Sequence, residues 1–316
     1  MSDTEEQPVE TSGETGESGD APEPGTADSA VEEAAKTTPR GVPLRIQNLR
    51  KEFGGITAVA DASFQVEAGS LTGLIGPNGA GKSTTFNCIA GVHRPTSGKV
   101  FFQGEDITGL RPEQVANKGL VRTFQIAREM EDMTVLENMM LAPRGQVGES
   151  LFNSVVPGIP APRFLDDSQR QRWERVVPQG RRAVTRQEED LRERAWETLE
   201  FFEIDHLAGE YAGSLSGGQR KLLEMARVLM TDPEMVLLDE PLAGVNPTLE
   251  KKLLKRVHDL REEGLTFLLV EHDMDVIMNN CEHIIVMHQG TVLAEGEADD
   301  IRNDDRVIDA YLGETI

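Results

Sequence analysis

Cysteine, aromatic residues and positive charge are all scarce in this 316-residue sequence. Its two cysteines, Cys88 and Cys281, are too few for a disulfide framework or a cysteine-rich metal site, which indicates a reduced, cytosolic protein. No apolar run reaches the ~18 to 20 residues that a membrane-spanning helix needs. The start, MSDTEEQPVE, also lacks the basic and apolar regions of a secretory signal. If the protein serves a membrane, we expect it to act from the cytosolic side through partners.

The charge balance is strongly negative, with 32 Lys and Arg against 55 Asp and Glu and a formal net charge of -23. Binding to nucleic acid depends on Lys and Arg that neutralise phosphates, so this balance disfavours a general nucleic-acid binder. The first 40 residues hold 11 acidic and two basic side chains and little that can be buried. We therefore predict a disordered acidic tail over 1–42 and a folded domain over 43–316.

Two kinds of β-strand are predicted in the folded part. Short alternating segments bounded by turn residues predict antiparallel strands. These segments are 44–53, 60–69 and 98–107. Continuous apolar runs followed by helical patterns predict a parallel sheet covered on both faces. These runs are 71–76, 234–240 and 265–272.

A mainly helical pattern separates the first and second of these apolar runs. It extends over about 134–212, is broken at 155–164, and has its clearest helical spacing at 186–202. We predict a helical subdomain inserted into the α/β core.

A glycine-rich motif lies between the first buried strand and its helix. Its residues are Gly76, Pro77, Asn78, Gly79, Ala80, Gly81, Lys82, Ser83 and Thr84. They fit G-x-x-x-x-G-K-[ST], in which glycines let backbone N–H groups converge on phosphates at a helix start. Lys82 can reach the β- and γ-phosphates, and the Ser83 hydroxyl can bind Mg²⁺. The motif predicts a nucleotide site.

Two carboxylates end the second buried run, at Asp239 and Glu240. The carboxyl end of a parallel strand is where α/β folds bind ligands. We expect Asp239 to hold Mg²⁺ through its water shell and Glu240 to polarise the attacking water. A strand end with solvated acids is the alternative.

The run LSGGQ at 215–219 starts a predicted helix and forms a second candidate phosphate-binding terminus. Its polar and glycine positions are Ser216, Gly217, Gly218 and Gln219. One γ-phosphate does not need two phosphate-binding helix starts. We therefore expect the helix start at 215–219 to bind a nucleotide that is held mainly by another subunit. The alternative is an ordinary capped helix.

In this order and spacing, the three motifs resemble those of the ATP-binding cassette (ABC) ATPases: Walker A at 76–84, the signature at 215–219 and Walker B at 235–240. The resemblance covers about 43–316. It implies an α/β fold, with a P-loop NTPase (ABC ATPase) core, an antiparallel β subdomain and the inserted helical subdomain. It also implies ATP and Mg²⁺ as ligands.

The resemblance assigns roles to three further positions. Phe53 stands where an aromatic ring stacks on adenine, with an ordinary strand aromatic as the alternative. Gln125 matches the Q-loop residue, which contacts Mg²⁺ and the membrane partner. His272 matches the switch histidine that contacts the γ-phosphate, and it would form the catalytic set with Lys82 and Glu240.

Several runs narrow the resemblance to the ATPase subunits of branched-chain amino acid importers. They are EP-x-AG-x-NP from Glu240, RTFQ at 122–125, EHDM at 271–274 and AYLGE at 310–314. Asn246 departs from the general family pattern, which has an acid there. Urea or amide importers and a lipid-linked exporter share several of these runs and stay open, as does a soluble ABC protein of DNA repair or translation.

The resemblance also implies a complex at the cytoplasmic face of the cell membrane. Two ATPase subunits would close head to tail around two Mg-ATP molecules, and the second subunit would be another copy or a paralogue. Two transmembrane permease subunits and an extracytoplasmic substrate-binding protein would complete the importer, with no nucleic-acid partner.

The acidity yields a first prediction. Arg outnumbers Lys by 23 to 9, and an acidic, lysine-poor surface is typical of proteins that stay hydrated in concentrated salt. We expect ATP hydrolysis to fall as salt is lowered. Full activity in dilute buffer would contradict this hypothesis and leave ordinary compositional drift plus an acidic tail as the explanation.

Overall fold

The structure is a computed structural model and describes residues 41, 43–123, 129–143 and 186–312. The tail predicted over 1–42 lies outside the described residues apart from Gly41. Gln125 also lies outside them, as does the middle of the predicted helical subdomain. The predictions made for these segments stay predictions.

Ten strands of the described part form one mixed sheet, in the order β5-β4-β1-β2-β10-β9-β3-β8-β7-β6. The strands are β1 (Leu44–Phe53), β2 (Ile56–Val66), β3 (Leu71–Ile75), β4 (Ser97–Phe102), β5 (Glu105–Asp106), β6 (Leu120–Arg122), β7 (Met235–Asp239), β8 (Thr266–Val270), β9 (His283–His288) and β10 (Thr291–Gly296).

Strands β6, β7, β8, β3 and β9 run parallel to one another, which confirms the predicted parallel sheet. Val270 of β8 pairs with Leu74 of β3 on one side and with Asp239 of β7 on the other. The carboxyl ends of β3, β8 and β7 therefore lie level. This register brings the glycine-rich motif and the Asp239 carboxylate to the same edge.

The strands β1, β2, β4 and β5 of the other half are antiparallel, as the alternating segments predict. β1 pairs with β2 and β4, and β4 pairs with β5. β10 forms an antiparallel hairpin with β9 and makes one parallel pair with β2, Thr291–Asp61. The sequence patterns did not predict β9 and β10.

The described helices are α1 (Lys82–Ile89), α2 (Pro112–Asn117), α3 (Val135–Met140), α4 (186–201), α5 (Gly217–Leu229), α6 (Pro247–Glu262), α7 (Met274–Asn280), α8 (Ala298–Arg302) and α9 (Asp305–Leu312). None of these described helices is long and apolar enough to cross a membrane. The predicted stretch 186–202 is thus helical as far as residue 201. Within the predicted subdomain the described parts also include a short 3₁₀ turn at Asp205–Leu207, and a second, Ala212–Ser214, begins at its last residue.

The core lies on both faces of the parallel strands. In β8, Phe267 and Leu269 belong to one buried cluster, whereas Leu268 and Val270 belong to the other. Helices α4, α5, α6 and α7 contribute to the first cluster, and α1 contributes to the second. This alternation explains the continuous apolar run, because a strand covered on both faces has no solvent side.

Asn246 has a local structural role that the sequence motif did not reveal. Its Oδ1 accepts hydrogen bonds from the N–H groups of Thr248 (3.1 Å) and Leu249 (3.0 Å), which makes it the N-cap of α6. Pro247 follows at the first helical position, where its missing N–H costs nothing.

Replacing Asn246 by alanine is expected to lower the free energy of unfolding by about 1 kcal/mol, because two helix N–H groups lose their acceptor. Asn246→Asp keeps an acceptor and serves as the matched control, with an expected change of only a few tenths of a kcal/mol. Denaturant unfolding measures both. An alanine variant as stable as the wild type would contradict the capping role.

Candidate nucleotide site

The glycine-rich loop joins β3 to α1 in a backbone conformation that favours glycine. Gly76 has a φ of 148° and Gly81, the N-cap of α1, has a φ of 101°. A Cβ at Gly76 would lie 2.1 Å from the carbonyl oxygen of Met287, so the loop packs directly on β9. At Gly79, by contrast, a Cβ would meet no atom within 4 Å. The loop is thus fixed at its base and open on its outer side.

Lys82 crosses the inside of this loop. Its side chain is buried, and Nζ donates to the carbonyl oxygens of Gly76 (2.6 Å) and Pro77 (3.0 Å). Asn78, Gly79 and Ser83 are exposed at the same helix start, Thr84 is half-buried, and Ala80 is buried. A buried ammonium below exposed helix N-terminal groups fits an anionic phosphate chain.

Asp239 ends β7 as a mostly buried carboxylate, with a side chain that is 18% exposed. Its Oδ2 accepts from Nη2 of Arg122, whose Nη1 donates to Oδ1 of Asn87 on α1 (2.6 Å). The Asp239 backbone N–H donates to the Thr123 hydroxyl at 3.3 Å. Sequence reasoning missed Arg122, because the RTFQ run drew attention to Gln125 alone.

Glu240 and His272, which are 32 residues apart in the sequence, meet at this edge. His272 Nε2 lies 2.7 Å from Glu240 Oε1, and both side chains are exposed enough to be reached by solvent. Glu240 has a φ of 48°, which is uncommon for a residue other than glycine. Its N–H donates to Val270 O at 2.9 Å, which holds this conformation.

Glu271 is a second residue that sequence reasoning missed. It is 7% exposed, and its Oε1 accepts from the Leu242 N–H at 2.8 Å. Burial raises the pKa of this carboxyl above its usual value; hydrogen bonds from the Leu242 and His272 N–H groups partly oppose that change. The Glu240 charge raises the pKa further. Glu271 thereby ties the end of β8 to the segment after β7.

Phe53 lies at the end of β1 with 41% of its surface exposed. Lys51 Nζ lies 4.6 Å from the ring centroid, and the His93 ring packs edge-on with a centroid distance of 5.1 Å. These contacts orient an aromatic ring that stays accessible, and its role in stacking on adenine stays a prediction.

The signature residues form the start of α5. Ser216 Oγ accepts from the Gln219 N–H (3.3 Å), and Gln219 Oε1 accepts from the Ser216 N–H (2.8 Å), which is a capping box. Gly218 packs so closely on Leu249 of α6 that a Cβ there would lie 2.2 Å from Leu249 Cδ2. Ser216 and Gly217 are exposed, so the signature residues form an ordered and accessible helix start.

Magnesium fits the groups at the sheet edge. Among the described residues, no group of three or more His, Cys, Asp or Glu could hold a metal ion by itself. Mg²⁺ is usually held by one or two carboxylates together with phosphate oxygens and water, rather than by an all-protein cage. One carboxylate (Asp239) and one exposed hydroxyl (Ser83) match that kind of site.

The comparisons with known proteins agree with this geometry. Residues 59–243 match the family described as ABC transporter, and residues 291–315 match the family described as branched-chain amino acid ATP-binding cassette transporter. The first match spans more than half of the chain.

Two curated relatives match along nearly their whole length. The probable branched-chain amino acid transport ATP-binding protein LivG of Archaeoglobus fulgidus is 43% identical over 85% of this chain and 95% of its own. The high-affinity branched-chain amino acid transport ATP-binding protein BraF of Pseudomonas aeruginosa is 38% identical over 86% and 98%.

A solved structure described as the ADP conformation of an ATP-binding cassette of an ABC transporter superposes with a TM-score of 0.67. It is 35% identical and covers 86% of this chain and 99% of its own. On the matched family, the relatives and the fold, this chain belongs to the ABC transporter family of ATP-binding proteins.

Proposed function

We propose that the chain is the ATP-hydrolysing subunit of a membrane importer for branched-chain amino acids. The observation that carries the proposal is the pairing of Leu74 and Asp239 with Val270, because the glycine-rich loop after β3 and the carboxylate of Asp239 then lie at one edge of the sheet. The LivG and BraF relatives support the class of transported molecule, since their names describe branched-chain amino acid transport.

In this proposal the loop 76–84 binds the phosphates of ATP. Its backbone N–H groups and the start of α1 would face the phosphate chain, and the Lys82 ammonium would exchange its carbonyl partners for phosphate oxygens. The Ser83 hydroxyl and Asp239 would hold Mg²⁺, with Gln125 as a further ligand. When bound, Mg²⁺ supplies positive charge that offsets the charge of the phosphates.

In this proposal the Glu240–His272 pair activates the water that attacks the γ-phosphate. Glu240 would orient the attacking water and accept its proton, while His272, hydrogen-bonded to the same carboxylate, would stabilise charge near the γ-phosphate. Phe53 would carry the adenine. Lys82, Glu240 and His272 thus form the proposed catalytic set.

The signature residues Ser216, Gly217, Gly218 and Gln219 would complete the site of a second ATPase subunit. The capping box and the exposure of Ser216 and Gly217 support this division, because an ordered, accessible helix start can serve a nucleotide held by a partner. Two ATPase subunits, identical or paralogous, would close head to tail and act on two permease subunits.

The remaining partners follow from the importer assignment. We place the subunit peripherally at the cytoplasmic face of the cell membrane, with an extracytoplasmic substrate-binding protein completing the complex and no nucleic acid involved.

Purification of the tagged full chain carrying Glu240→Gln from membranes in Mg-ATP tests this function. We expect two permease chains to co-purify, and transport assays on that complex then test branched-chain amino acids against urea, amides and lipid-linked cargo. Recovery of ribosomes or DNA-repair factors alone would contradict the transport function.

Glu240→Gln is expected to bind ATP normally but to lose about 10²-fold or more in turnover, because the amide cannot accept a proton from water. Steady-state ATPase assays and nucleotide titrations separate the two effects. Glu295→Gln, which neutralises an exposed carboxylate on β10, is the control and should keep wild-type turnover. Near-normal hydrolysis by Glu240→Gln would contradict the assignment of the base.

Lys82→Ala should instead weaken nucleotide binding itself, because the loop loses the cation that faces the phosphates. A loss of about tenfold or more in affinity is expected from one charge-assisted contact. Lys99→Ala removes a lysine from an exposed ion pair with Asp106 and should leave affinity unchanged. Equal affinities for Lys82→Ala and the wild type would exclude the phosphate-binding role.

A further inference from the structure

The ion pair between Arg122 and Asp239 is unusual for its place in the fold. Both side chains are largely buried, at 14% and 18% exposure, although one of them is the proposed magnesium-binding carboxylate. Arg122 also donates to Asn87 of α1 at 2.6 Å. One guanidinium therefore links the end of β6, the Walker B strand and the helix that follows the phosphate loop.

A buried carboxylate needs compensation, since burying an unpaired charge is costly. Asp239 is followed by Glu240, and Glu271 directly follows the neighbouring strand β8, so carboxylates are concentrated at this edge. In the described part of the chain, Arg122 is the residue that forms an ion pair with Asp239, through Oδ2 alone. The pair leaves Oδ1 without a hydrogen bond from any described residue.

We propose that Arg122 is a positioning residue that serves as the resident counter-ion of Asp239. It neutralises and orients the carboxylate through Oδ2 in the absence of metal and shares it when Mg²⁺ is bound. Arg122 thereby sets how strongly nucleotide binding depends on Mg²⁺. This inference rests on the proposed nucleotide and magnesium site.

The proposal predicts two opposite changes on removal of the charge. Without Arg122, Asp239 repels the phosphates when no metal is present, so metal-free nucleotide binding weakens. The same bare carboxylate attracts Mg²⁺ more strongly, because a neighbouring cation no longer opposes it. A residue that only supported the fold would weaken binding in both conditions.

The test is a calorimetric titration of the full-length protein with AMP-PNP. It measures the nucleotide affinity once in EDTA and once in saturating Mg²⁺, and the ratio of the two affinities is the enhancement by Mg²⁺. For Arg122→Gln we expect roughly tenfold weaker binding in EDTA and an enhancement by Mg²⁺ roughly tenfold larger than in the wild type. An enhancement equal to or smaller than that of the wild type would overturn the proposal.

Two control variants separate charge from packing. Arg122→Lys keeps the charge but loses the guanidinium that contacts both Asn87 and Asp239. Its enhancement by Mg²⁺ should stay within about threefold of the wild type.

Arg256→Gln removes an equally buried arginine, 15% exposed, that lies outside the site and forms ion pairs with Glu203 (2.6 Å) and Asp259 (3.0 Å). Its enhancement should be unchanged; a rise like that of Arg122→Gln would contradict a local effect.

The double variant Arg122→Gln/Asp239→Asn keeps the proposal testable if the single variant unfolds. It removes both charges of the ion pair, so no buried carboxylate is left without a counter-ion. It should recover wild-type affinity in EDTA and lose the enhancement by Mg²⁺. Retention of a wild-type enhancement would refute the coupling between the two residues. A wild-type protein without any enhancement would instead refute the proposed magnesium site, which is a distinct result.

Discussion

The pairing of β8 between β3 and β7 is the constraint on which the site depends. Because Val270 pairs with both Leu74 and Asp239, the three strands end level, and whatever follows each strand meets at one edge. The glycine-rich loop follows β3, Glu240 follows β7, and Glu271 and His272 follow β8. A register shift of one residue would turn the alternating core residues of a strand to the wrong face, so packing and function depend on the same alignment.

Charge is the second organising factor. The chain is strongly acidic, and the site adds three carboxylates at strand ends within a small volume. Each carboxylate has a different partner. Asp239 forms an ion pair with Arg122, and Glu240 lies within hydrogen-bonding distance of His272. Glu271 accepts a hydrogen bond from the Leu242 N–H, and its pKa is raised. These separate environments fit the different roles that we propose for neighbouring acids: metal binding for Asp239, water activation for Glu240 and support of the backbone for Glu271.

Much of the fold and of the motif set was predictable because it is local in sequence. Apolar runs without alternation predicted the parallel strands, and G-x-x-x-x-G-K-[ST] predicted a loop between a strand and a helix, which is where the structure has it. The Arg122–Asp239 and Glu240–His272 contacts join distant segments, so only the sheet order reveals them. The Asn246 cap was not predicted for another reason. The general family pattern has an acid at this position, so the comparison stressed the missing charge and not the side-chain amide oxygen, which accepts hydrogen bonds from two helix N–H groups.

The most direct test of the account is an experimental structure of the full chain bound to Mg-AMP-PNP. We expect phosphate oxygens within hydrogen-bonding distance of Lys82 Nζ and of the N–H groups at the start of α1. We also expect Mg²⁺ beside Ser83 and Asp239, and the signature of a second subunit facing the γ-phosphate. A nucleotide bound elsewhere, such as in the polar cleft of about 970 Å³ that is lined by Glu282 and His283, would contradict it.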